Sequence, residues 1–180
     1  GNNISFGENG AGGAGNGPHD SGTITVGGAI EADANNNIGF VNNVNASKIL
    51  LTAENGVIVA DSNVKLSADD YRFRANGYIG GVNNAEQVQQ VLGGQAIDGT
   101  EDHATYMNIK AGNVSEIKTP NNAYVRIKSH GDKTVYSNVD SGEMFLTAVN
   151  ENDPIGGDII LSEDVKANNV NIGCETREVT

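Results

Sequence analysis

Acidic side chains define the chemistry this chain could do. Asp and Glu number 23 against 11 Lys and Arg, giving a formal net charge of −12. Several acids cluster in turn-like stretches: Asp69 with Asp70, Asp98 with Glu101 and Asp102, and Asp153 with Asp158. Carboxylates and turn carbonyls of this kind could ligate calcium, because hard cations take oxygen ligands. None of the clusters matches the twelve-residue loop of an EF-hand or the glycine-rich nonapeptide of a calcium-binding β-roll. Metal ligands therefore stay unassigned, and no other cofactor is expected. Paired carboxylates also cleave glycosides, and Asp69, Asp70, Glu101 and Asp102 are the candidates. In so acidic a chain such pairs arise by chance, and no aromatic platform accompanies them. Ser, His and acids occur without Gly-x-Ser-x-Gly, and His103 beside Asp102 reads as a surface histidine. Cys174 stands alone, so neither an intrachain disulfide nor a thiolate metal centre can form. The expectation is a protein that is not an enzyme and has no catalytic residues.

The same balance bounds the partners. The sequence has no run of clustered cations, which argues against nucleic acid. No stretch of eighteen apolar residues occurs, so membrane insertion is not expected. No signal peptide is visible, and Gly1 in place of Met reads as a processed or excised terminus.

Whatever these residues do, repeats must position them. An apolar residue, a polar one, a small one and then Asn, Asp or Gly recur as Leu51-Thr52-Ala53-Glu54-Asn55, Leu66-Ser67-Ala68-Asp69-Asp70, Phe73-Arg74-Ala75-Asn76-Gly77, Ile109-Lys110-Ala111-Gly112-Asn113, Ile127-Lys128-Ser129-His130-Gly131 and Leu146-Thr147-Ala148-Val149-Asn150. Each copy is a short strand closed by a turn, unable to bury its apolar face except by stacking on neighbours. Leu50, Val57, Val64, Tyr71 and Tyr78 fall seven residues apart. Strand alternation then predicts Val57, Val59, Val64, Leu66, Tyr71 and Phe73 inward, with Lys65, Arg72 and Arg74 outward. Asn55-Gly56 suits either a type I′ hairpin or the corner of a coil. Hydrophobic residues make up only 37% of the chain, aromatics 5%, and Trp is absent. A thin core follows, and with it an oligomer, a trimer first. Abundant Asn offers amides to cap exposed backbone groups, and the 24 Gly residues offer positive-φ turns.

Four zones result: a Gly/Asn-rich flexible arm over 1–22, a first β block over 23–82, a short helix and loop over 83–105, and a second β block over 106–180. The helix is expected near 85–92, with Asn84 as cap, Gln87 three residues on, Val88, Val91 and Leu92 on one face, and Gly93-Gly94 as the stop. In the second block, Tyr106-Met107-Asn108-Ile109-Lys110-Ala111 is echoed by Tyr124-Val125-Arg126-Ile127-Lys128-Ser129.

Leu-Thr-Ala-Glu-Asn-Gly followed by Val-Ile-Val, and Gly-Asp-Ile-Ile-Leu-Ser near the end, resemble bacteriophage tail-fibre and tail-spike repeats and the related puncturing spikes of type VI secretion. They resemble less closely the filamentous-haemagglutinin repeats of secreted adhesins. The likeness covers about residues 45–80 and 106–173. It implies an all-β chain of short strands in a β-helix, a β-prism or a sandwich-like fold, in a fibre or spike on a virion. The alternative it implies is a secreted adhesin or an extracellular filament subunit whose N-terminal arm complements a neighbour. Copies of itself and a host-surface polysaccharide or receptor are the implied partners. Spike tips of that group carry iron on His-x-His, and His19, His103 and His130 supply no such pair.

Overall fold

The chain winds into successive coils of short parallel strands. This computed structural model describes residues 3–7, 22–97, 105–111, 113–129, 133–136, 139–140, 143–150, 158–161, 165–167 and 169–174. Coil one holds β1 (Ile4–Phe6), β2 (Thr23–Thr25) and β3 (Ala29–Ala34); coil two holds β4 (Ile38–Phe40), β5 (Asn43–Asn45) and β6 (Lys48–Ala53). Coil three holds β7 (Ile58–Asp61), β8 (Lys65–Ser67) and β9 (Asp70–Ala75). Coil four runs from β10 (Ile79–Val82) through the helix α1 (Ala85–Leu92) to β11 (Met107–Ala111) and β12 (Asn113–Lys118). Beyond it come β13 (Ala123–Ser129), β14 (Lys133–Tyr136), β15 (Val139–Asp140), β16 (Glu143–Asn150), β17 (Asp158–Leu161), β18 (Val165–Lys166) and β19 (Asn169–Cys174).

Every pairing between these strands is parallel and joins one coil to the next, so the strands form three stacks. The first runs β1-β4-β7-β10-β13, the second β2-β5-β8-β11-β13 and the third β3-β6-β9-β12. The all-β, β-helix-like reading stands, and the coil replaces the hairpin at Asn55-Gly56. The type I′ reading fails on backbone grounds as well, since among the described residues only Gly7 and Gly94 have positive φ. Gly56 is needed for closeness instead: a Cβ there would lie 2.3 Å from the Asn36 carbonyl oxygen of the coil below. Seven residues proves to be one side of a three-sided coil, whose full repeat is 20 residues from Ile38 to Ile58 and 21 from Ile58 to Ile79.

Inward columns build the core. Ile38, Ile58 and Ile79 stack in the first stack, Val44, Leu66 and Ile109 in the second, and Leu51, Phe73 and Ile117 in the third. Their exposures are 0 or 1%, so one chain closes this core without help. The thinness of the composition therefore gives no packing argument for three chains. Val64, Leu66, Tyr71 and Phe73 lie inside as expected, with Lys65 and Arg72 half-buried on the outward side and Arg74 exposed. Val57 and Val59 depart from the expectation. Val57 is half-buried, and Val59, though buried, belongs to a second cluster on the outer face of the first stack.

That second cluster exists because α1 covers the outside of β4, β7 and β10. Val88 and Val91 pack with Val41, Val59 and Tyr78, and a Cβ on Gly39 would come 2.6 Å from Val88. The Asn84 side chain accepts from the Gln87 amide at 2.9 Å, while the Gln87 side chain accepts from the Asn83 amide at 2.9 Å. At the other end Asn3 and Asn37 donate to the carbonyls of Leu92 and Val91 at 2.6 and 2.9 Å, satisfying groups a helix terminus leaves open. The same two asparagines accept from the backbone one coil up: Asn3 from the Asn37 amide at 2.9 Å, Asn37 from the Val57 amide at 3.1 Å. Capping by amides is thus a role of the abundant Asn. Within the 1–22 segment, Ile4–Phe6 pairs with β4, and residues 8–21 lie outside the described residues.

Candidate functional site

Among the described residues, a constellation of polar side chains lies where the third stack ends. Strands β6, β9 and β12 stop one above another, and their last residues line an open cleft of about 440 Å³ whose polar groups come from Thr52 and Glu54, Arg74 and Asn76, Glu116 and Lys118. The strand triplets Leu51-Thr52-Ala53, Phe73-Arg74-Ala75 and Ile117-Lys118-Thr119 build it. Their flanking residues are buried, so the middle ones face out, and Thr52, Arg74 and Lys118 are in direct register. A bulge between Val114 and Glu116 shifts β12 and aims Glu116 along the outer surface, where its carboxylate pairs with the Arg74 Nε. The Arg74 side chain stays 49% exposed and that of Glu116 only 12%.

Charges of both signs meet here. Arg72 lies in register with Glu116, and its Nε is buried without a hydrogen-bond partner among the described residues. Lys118 is exposed and has no ion pair among the described residues. Coiling brings Lys118 beside Arg74, although they are far apart in sequence. What the arrangement can do is bind an anionic or polyhydroxylated group, with Thr52 and Asn76 as neutral hydrogen-bonding groups at its rim.

Of the carboxylates singled out above, Asp70 sits at the opposite end of β9 and ties two coils together. Its Oδ1 accepts from Asn113 Nδ2 at 2.7 Å and from the Ser115 amide at 3.2 Å, while Asp69 is exposed. Asp98, Glu101, Asp102, Asp153, His19, His103 and His130 lie outside the described residues. Asp158 opens β17 and Cys174 closes β19. Among the described residues no three of His, Cys, Asp and Glu come together.

A second, smaller cleft of about 270 Å³ lies between the C-terminal end of α1 and the corner carrying Asn37, Asn55 and Asn76. Nearby, Tyr78 is buried, and its hydroxyl donates within reach of the Thr105 and Gly81 carbonyls, at 3.0 and 3.1 Å. Burial pushes that hydroxyl well above the ordinary tyrosine range. Sequence reasoning missed the charged cleft. The signal that could have found it is the triplet Ile117-Lys118-Thr119, a further copy of the pattern in Leu51-Thr52-Ala53 and Phe73-Arg74-Ala75.

No protein-family model, no curated protein and no solved structure matches this chain.

Proposed function

We propose that this chain is a non-enzymatic structural and adhesive segment of an extended assembly, first of all a bacteriophage tail fibre or spike. The observation that supports this reading is the unbroken inward column, in which each further coil adds about 4.8 Å of axis and buries the face of the coil before it. Such a column lengthens by repetition and stiffens a shaft. The flank cleft, open and set across three coils, suits adhesion to a polymer such as a host-surface polysaccharide. One observation favours a second reading, a secreted bacterial surface adhesin: a single chain closes its own core, as a one-chain β-helix must. Multi-angle light scattering on the purified chain separates the two. A trimer keeps the fibre reading, whereas a monomer at micromolar concentration removes it and leaves the adhesin.

A further inference from the structure

We propose that the cleft at Arg74 and Lys118 binds the carboxylate-bearing sugars of an acidic polysaccharide, an inference that rests on the adhesive reading above. Two cations in direct register on neighbouring strands lie about 4.8 Å apart along the stack and repel each other. Glu116 pairs with Arg74 and also stands in register with Arg72. Lys118, with Asp140 next in register on its other side, is left exposed at the cleft wall. Arg72, one outward position along β9, lies outside the cleft lining. In a chain of net charge −12 the cleft is charge-balanced, with Arg74 and Lys118 against Glu54 and Glu116, and an anion between Arg74 and Lys118 would relieve their repulsion.

The remaining lining chooses among anions. The cleft presents no aromatic side chain to anchor a peptide or stack a neutral sugar. Strands β6, β9 and β12 are hydrogen-bonded on both sides, so no free edge is offered here for a peptide strand to join. What the cleft does present is the Thr52 hydroxyl, the Asn76 amide and the Glu54 carboxylate, groups that pair with sugar hydroxyls beside a bound carboxylate.

The test is calorimetric titration of the full chain with oligogalacturonate, and with maltohexaose, oligoglutamate and inorganic phosphate as comparators. Oligogalacturonate is expected to bind best, with affinity falling as salt shortens the Debye length toward roughly 3 Å. Lys118→Gln, at an exposed position, should weaken binding roughly three- to tenfold without moving the melting temperature. Glu116→Gln should tighten it by freeing the Arg74 guanidinium. The inference is overturned if oligogalacturonate does not bind, if oligoglutamate, phosphate or maltohexaose binds equally well, or if Lys118→Gln binds as the parent does. These results are independent of the scattering experiment: a trimer that ignores the sugar sinks this inference alone, and a monomer that binds it sinks only the fibre.

Discussion

Single residues report how tightly the coil is drawn. Leu66 is fully buried between Val44 and Ile109. Leu66→Ala should therefore cost about 2–5 kcal/mol in a urea melt, the range for large-to-small core changes; a cost within error of zero would show that the column is not continuous. Gly56→Ala tests the corner. Its added methyl would meet the backbone carbonyl of Asn36, which cannot swing aside as a side chain can, and a loss of about 1–3 kcal/mol is expected from overpacking. Tyr78 adds a pH dependence. Its folded pKa is raised above the unfolded value near 10, so its contribution is fully present below about pH 10 and is lost as the pH climbs past that point. Urea melts at rising pH should show an alkaline decline that Tyr78→Phe makes shallower; an unchanged decline would place its cause elsewhere.

At the scale of elements, α1 is an insertion that the coil accommodates. It interrupts coil four between the first and second stacks, and the strands on either side keep their register with coil three. Its amphipathic pattern, cap and stop are local, and this is why the sequence located it at 85–92. Where it docks was not local. The face under it needs Gly39, Val41 and Val59, two of them apolar residues that strand alternation alone assigned to no helix. Asn84→Ala should cost about 0.5–2 kcal/mol through the lost cap, read as a lower urea midpoint. If that midpoint does not move, the helix is held by its packing alone.

For the whole molecule, the coil determines which distant residues become neighbours, and the oligomeric state tests the proposed fibre against the proposed adhesin. Local chemistry made much of this legible: Val, Ile, Tyr and Phe two apart, closed by Asn, Asp or Gly, specify short strands and corners in any context. The echo of Tyr106–Ala111 in Tyr124–Ser129 even states a register, since Met107 pairs with Val125 and Ile109 with Ile127. Three things came only with the tertiary structure. Parallel coils won over hairpins at Asn55-Gly56 because the backbone approach to Asn36, rather than a positive φ, sets that corner. The inward set shifted at Val57 and Val59 because seven residues is an average over three unequal sides, so a fixed spacing slips off the true register. The cleft of Arg74, Glu116 and Lys118 stayed hidden because the helix and its loop fall between β10 and β11, nearly doubling the sequence distance across one coil. Strand pairing is indifferent to the length of chain between partners, and side chains far apart in sequence therefore meet on one surface.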